Sequence, residues 1–259
     1  MLENLAILVT GATSGIGLAI ARLCREKGAR VALHGIDAAA TRKAAAEIGA
    51  AAIVANLKEP DAPARIMAET VGAFGRIDGL VNNAAMLDRD TIDSLDIGLF
   101  DDIIAVNLRA PLLLIKAALP HMERQETGGS VVNIGSVNAW CGATKILSYS
   151  VSKGGLMTAT RNLGDALSSR RVRVNQLNVG WTASENEHRI QLAEGQPADW
   201  RSRLNALQAP SGDILKPQEV ARHAIFWLSP ESAPITGQVV DVEQYPILGR
   251  LAIHDPGRQ

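Results

Sequence analysis

The chain has 259 residues, 47% hydrophobic and 20% charged, with a formal net charge of −1. It is long enough to bury a large core without disulfides or structural metals, and its near-neutral charge gives no electrostatic reason to expect a nucleic-acid or membrane partner. The two cysteines, Cys24 and Cys141, form no metal or disulfide spacing, the first ten residues lack a basic signal-peptide start, and no apolar run approaches the roughly 18 residues that span a bilayer, so a reducing, cytoplasmic setting is expected.

An apolar run over residues 5–9 ends in Thr10-Gly11 and suits a strand buried on both faces. Residues 15–27 follow with helical periodicity. Ile16, Ile20, Leu23 and Cys24 are apolar, Arg22, Arg25 and Glu26 are polar, and Gly28 stops the helix. Strands at 31–33, 51–55 and 80–82 then alternate with helices at 38–48 and 60–74. Two helical stretches cover 100–123, before a strand at 130–134, a helix at 147–168 and a strand at 172–177. This alternation implies βαβ units and an α/β fold: one doubly wound parallel sheet of about seven strands, helices on both faces, in a single domain. Residues 180–212 break the rhythm. They are polar, partly helical and unpaired with a strand, and carry Trp181, Glu185, Glu187, His188, Arg189 and Trp200. Such an insertion is a candidate active-site lid, although a surface excursion or a subunit contact would have the same composition. A helix at 217–228 and a strand at 238–242 follow, and the tail at 243–259 has no clear element.

The turn Thr10-Gly-Ala-Thr-Ser-Gly-Ile-Gly17 opens the first helix. Gly11 permits a tight exit from the strand, Gly15 lets a diphosphate approach the backbone, and Gly17 lets the helix pack close to the sheet. The helix N-terminus adds unpaired N–H groups and partial positive charge. Alone this is only a tight turn; at the first βα unit of a doubly wound sheet it points to a nucleotide. The strand ends should then line one crevice with small and amide residues: Asn82-Asn83-Ala84-Ala85, Gly135-Ser136 and Asn178-Val179-Gly180. Within the helix at 147–168, Tyr149 and Lys153 lie one turn apart on one face. An ammonium close to a phenol favours the phenolate, which would lower the phenol pKa and suit a general acid/base. Most such pairs are solvated surface pairs, so this one gains meaning from its surroundings. Pro111 lies four residues after Asn107 and has no N–H. The helix should kink there and leave the Asn107 carbonyl free to accept from water.

Taken together, Thr10–Gly17, Asn82–Ala85, Asn107, Ser136 and Tyr149 with Lys153 make the chain resemble the short-chain dehydrogenase/reductase family over residues 5–240. The resemblance implies a Rossmann-type oxidoreductase, commonly a homotetramer or dimer, that moves a hydride between NAD or NADP and a small alcohol or carbonyl. It implies roles by position. Tyr149 is the acid/base on the substrate oxygen, Ser136 orients that oxygen, Lys153 lowers the Tyr149 pKa and binds the nicotinamide ribose, and Asn107 holds a water linking Lys153 to solvent. The cofactor would lie along Gly11, Thr13, Ser14, Gly15, Ile16, Gly17, Asp37, Asn56, Leu57, Asn83, Ala84, Tyr149, Lys153, Gly180, Thr182 and Ser184. A non-catalytic dinucleotide-binding member, or an epimerase or dehydratase that keeps NAD, would share the fold.

Three departures stand out. Strand two ends His34-Gly35-Ile36-Asp37, without the acid that NAD-preferring members commonly carry at Gly35 or the Arg that NADP-preferring members carry at Ile36. No obvious cation meets a 2′-phosphate, and Asp37 would repel it or accept from a ribose hydroxyl, which favours NAD; Asp37 also suits a helix N-cap. Val179 and Ser184 stand where the family usually has Pro and Thr. Val242-Glu-Gln-Tyr245 stands where many members have a glycine pair after the last strand, altering the rim of the site or a subunit contact. The substrate pocket is expected from Asn138, Trp140, Cys141, Trp181, His188 and Arg189. Tryptophans beside hydrogen-bonding groups suit a sugar or polyol, and Arg189 could clamp the carboxylate of a hydroxy acid. Core or interface packing would use the same tryptophans.

Overall fold

The computed structural model describes residues 1–247; residues 248–259, most of the tail expected to lack regular structure, lie outside the described residues. Seven parallel strands form one sheet in the order β3-β2-β1-β4-β5-β6-β7. They are β1 (Ala6–Val9), β2 (Arg30–Gly35), β3 (Ala51–Val54), β4 (Gly79–Asn82), β5 (Gly129–Ser136), β6 (Val172–Val179) and β7 (Val239–Val242). The order reverses between β1 and β4, the switch point where ligands lie across the carboxyl ends of such sheets.

Side chains alternate between the two faces, as strand geometry requires. Ile7, Val9, Val31 and Leu33 pack on one face with α1 (Gly15–Glu26), α2 (Ala38–Ile48) and α9 (Pro217–Leu228). Leu8, Ala32, Leu80 and Val131 pack on the other, against α3 (Ala62–Phe74) and α5 (Ala110–Met122). The elements read from the sequence are all present, but β5 and β6 run further than expected, so Ser136 and Asn178 are the last turns of strand rather than loop.

The stretch read as two helices is one continuous rod. Helix α4 (Ile97–Ile104) passes through a π turn (Ala105–Arg109) into α5. Just before Pro111 the helix widens: Ala110 N–H bonds back to the Ala105 carbonyl, one residue beyond α register. The rod Ile97–Met122 is long and apolar enough to cross a bilayer, with a mean hydropathy of 1.6 over its best window, but half of that window is buried in the fold, as in a core helix. The chemistry-bearing helix is α7 (Leu147–Ala166), preceded by the short turn α6 (Asn138–Cys141). In the insertion at 180–212, α8 (Glu185–Ala193) and a 3₁₀ turn (Trp200–Arg203) close over a small apolar cluster of Trp200, Ala209 and Ile214.

Candidate active site

The ends of β1 and β4 are laced together. Thr10 Oγ1 accepts from the backbone N–H of Asn83 (3.0 Å) and Ala84 (3.1 Å). Asn83 Nδ2 donates to the carbonyls of Thr10 and Gly11, both at 2.9 Å. Only glycine fits this join: a Cβ on Gly11 would lie 2.6 Å from Ala84 Cα, and one on Gly17 would lie 2.4 Å from Asn83 Nδ2. Gly11 and Gly15 also have φ of +59° and +55°, which L side chains avoid.

Helix α1 then begins without a side-chain cap at Ser14 and without an acid in its first turn. Its first N–H groups and partial positive charge are thus offered to the cavity, the donor set a diphosphate requires. That cavity, of about 520 Å³, is lined by Gly11, Thr13, Ser14, Gly15, Ile16, Gly17, Asn56, Leu57, Asn83, Ala84, Tyr149 and Ser184, most of the positions named from sequence. The residues present fit a nicotinamide dinucleotide.

Asp37 is a correction. It is absent from the lining, because its carboxylate caps α2, accepting from Ala40 N–H at 2.7 Å. Cations are not absent either: Lys58 and Arg189 line the cavity, Lys58 paired with Asp102 and Arg189 bonded to Asn186.

His34 carries a role that the sequence reading missed. It is buried, its Nδ1 accepts from Gly11 N–H (3.3 Å), and its Nε2 lies 3.1 Å from the Ala55 carbonyl. Those two partners require the neutral Nε2–H tautomer. Burial lowers its pKa to about 4, against a smaller opposing effect of the Ala55 bond. A histidine at a strand end gives no such signal in sequence.

A second cavity, of about 480 Å³, opens from the first and shares Ile16, Asn83, Tyr149 and Ser184 with it. Ser136, Asn138, Tyr149, Lys153, Gly180, Trp181 and Thr182 line it. Ser136 hydrogen-bonds the Tyr149 phenol, and Lys153 Nζ lies 5.6 Å from the centre of the phenol ring, donating to the Ile134 carbonyl at 2.7 Å. Burial pushes Tyr149 up to about 12, with the Ser136 bond opposing and the Glu187 charge adding; burial pushes Lys153 down to about 8. The phenol lowered by its lysine, expected from the four-residue spacing, is therefore not found, because desolvation dominates.

Asn107 is fully buried, and its side chain locks the loop after β4: Met86 N–H donates to Oδ1 (2.8 Å) and Nδ2 donates to the Met86 carbonyl (2.9 Å). Nδ2 also donates to Ser152 Oγ (3.1 Å), which in turn donates to the Tyr149 carbonyl (2.6 Å). The same loop brings in Asp90, another residue unmarked in sequence. Its buried carboxylate accepts from Ser148 N–H (3.0 Å) and from the Ser148 hydroxyl, capping α7 one residue before Tyr149.

The substrate-side candidates divide. Asn138 and Trp181 line the second cavity. Trp140 does not: it donates to Asp241 (2.8 Å) and stacks under the Arg161 guanidinium. Cys141 is exposed outside the lining. His188 accepts from the Trp200 indole (3.0 Å), so it braces the insertion, and Arg189 sits on the nucleotide side. In their place the cavity takes Arg89, Glu187, Gln191 and Glu243.

A family model described as "Enoyl-(Acyl carrier protein) reductase" matches residues 11–244. The probable galactose dehydrogenase GalD of Rhizobium meliloti (strain 1021) is 33% identical over 248 residues, covering 93% of this chain and 94% of the relative. The 2-(S)-hydroxypropyl-CoM dehydrogenase 3 of Xanthobacter autotrophicus (strain ATCC BAA-1158 / Py2) is 33% identical over 251 residues, covering 93% and 96%. A solved structure described as a short chain dehydrogenase/reductase family protein matches with a TM-score of 0.79 at 31% identity, covering 93% of this chain and 96% of its own.

Proposed function

The chain belongs to the short-chain dehydrogenase/reductase family, and from that premise we propose that it interconverts a small alcohol and its carbonyl, with Tyr149 exchanging the proton and NAD as the cofactor. The observation that carries the reading is the Ser136–Tyr149–Lys153 cluster, set where the substrate cavity meets the glycine-turn cavity. Two relatives bear dehydrogenase names, which supports the same reaction class.

When bound, the nicotinamide supplies the hydride chemistry. The chain supplies the rest. Gly11, Gly15 and Gly17 with the α1 N-terminus would hold the diphosphate, and Ser184, whose hydroxyl oxygen accepts from Glu187 N–H (3.0 Å), would have its hydroxyl proton left for the nicotinamide amide. Tyr149 oxygen gives its proton to the carbonyl oxygen in reduction and takes the hydroxyl proton in oxidation. Ser136 donates to that oxygen and steadies charge on it. Lys153 keeps its proton below about pH 8, so the cation beside Tyr149 is present at neutral pH. Asn107 and Asp90 act at one remove, fixing the start of α7.

NAD is favoured because Gly35, the last residue of β2, and Ile36 after it bring no cation, while Lys58 is held by Asp102 and Arg189 by Asn186. The test is nicotinamide absorbance with a panel of sugars, polyols and hydroxy acids, run with NAD and NADP in parallel. The reading expects at least one compound to turn over with a lower KM for NAD. Turnover with NADP alone would overturn the cofactor choice, and no absorbance change with any compound would overturn the reaction.

A further inference from the structure

Trp181 is fixed at both of its donors by carboxylates. Its backbone N–H donates to Glu243 Oε2 (2.9 Å), and its indole Nε1–H donates to Glu187 Oε1 (2.8 Å), which also accepts from Gln191 Nε2 (2.8 Å). One indole face is taken by Trp200, stacked at 5.4 Å between centroids and 21° between planes. Trp200 is buried and braced by His188, so the stack is a rigid wall. Trp181, Glu187 and Glu243 all line the substrate cavity.

Glu243 reaches this wall because Gly180 has no side chain: a Cβ there would lie 1.9 Å from Glu243 Oε2. The acid just after the last strand thus becomes part of the pocket.

The ionisable groups lining the cavity are Arg89, Tyr149, Lys153, Glu187, Glu243 and Tyr245. Arg89 Nε is paired with Glu194 at 2.8 Å. Lys153 is buried beside Tyr149 and bonded to the Ile134 carbonyl. Among the described residues neither Glu187 nor Glu243 has a salt-bridge partner.

We infer that this wall selects a neutral polyhydroxylated substrate, a sugar or polyol, whose C–H face lies on Trp181 while its hydroxyls donate to Glu187 and Glu243. The inference rests on the oxidoreductase reading of the same cavity and narrows it to one substrate class. An ionised acceptor strengthens a bond from a hydroxyl donor. A hydroxy acid would bring a third negative charge against the two carboxylates.

The experiment compares aldoses and polyols with the corresponding hydroxy acids in the NAD-loaded enzyme. Initial rates and tryptophan-fluorescence titration are both read. Neutral compounds should lead their acid counterparts by about 100-fold in kcat/KM and bind more tightly. Glu187→Gln keeps an acceptor for Trp181 and should shrink that lead by about 10-fold, with Glu243→Gln acting in the same direction. Because the Glu187 charge opposes ionisation of Tyr149, the base in the oxidation, Glu187→Gln should also move the rising limb of kcat/KM to lower pH, which a merely structural effect would not do. Tyr149-dependent turnover that favours hydroxy acids, lost in Arg89→Gln, would overturn the inference and leave the reaction class standing. Fluorescence binding of neither class would also overturn it. Turnover that survives Tyr149→Phe would instead defeat the oxidoreductase reading itself.

Discussion

His34 ties the nucleotide turn to the rest of the sheet, and it should make the protein acid-labile within a defined window. Its ordinary pKa of 6.5 falls to about 4 in the fold. Above pH 6.5 both folded and unfolded chains carry a neutral imidazole, and the residue adds no pH dependence. Between pH 6.5 and 4 the unfolded chain binds a proton that the folded chain refuses, so stability falls as acid is added. A shift of this size is worth about 3 kcal/mol, reached by about pH 4. The structural cause is definite: protonated Nδ1 can no longer accept from Gly11 N–H. Urea unfolding should be followed from pH 7 to pH 4 in the wild type and in His34→Gln, which keeps a donor and an acceptor but does not titrate. Carboxylates contribute equally to both, so the difference isolates His34. The variant should lose about 3 kcal/mol less over that window, and NADH affinity should fall with pH in the wild type alone. Parallel stability profiles would refute the assigned tautomer and its partners.

Other expectations follow from single contacts. Asp90→Ala should cost about 2 kcal/mol in urea unfolding and lower kcat more than it raises the cofactor Kd, since it uncaps the turn that carries Tyr149; Asp90→Asn should recover most of the stability. Gly17→Ala forces a methyl to within 2.4 Å of Asn83 Nδ2, and should destabilise by about 1–3 kcal/mol and weaken NADH binding measured by fluorescence. Trp200→Ala empties the space behind Trp181, so kcat/KM for substrate should drop while NADH affinity is kept.

The sheet was legible because its signals are local. Short apolar runs alternate with helical periodicity, and each is set by burial on a face that neighbouring residues share. The boundaries of α2 and α9 were read to the residue, since Asp37 caps one and Pro217 opens the other. The glycine turn was legible because only glycine fits its backbone, whereas Ser136, Tyr149 and Lys153 were reached through helix spacing and the family resemblance. Trp140, His188, Arg189 and Asp37 were placed less well. Their neighbours come from distant segments: Asp241 for Trp140, Trp200 for His188. The same holds for what went unseen. His34 works through Gly11 and Ala55, and Asp90 through Ser148, contacts that depend on how loops fall across the sheet edge. The Tyr149 pKa also defied the sequence, because helix spacing reveals the lysine but not the depth of burial.

The central claim is that the Tyr149 hydroxyl carries the proton between chain and substrate. Tyr149→Phe removes that oxygen alone. With a substrate from the neutral panel and NAD, kcat/KM should fall by about 10²–10⁴-fold, with NADH binding by fluorescence titration little changed. Wild-type turnover by the variant would contradict the account.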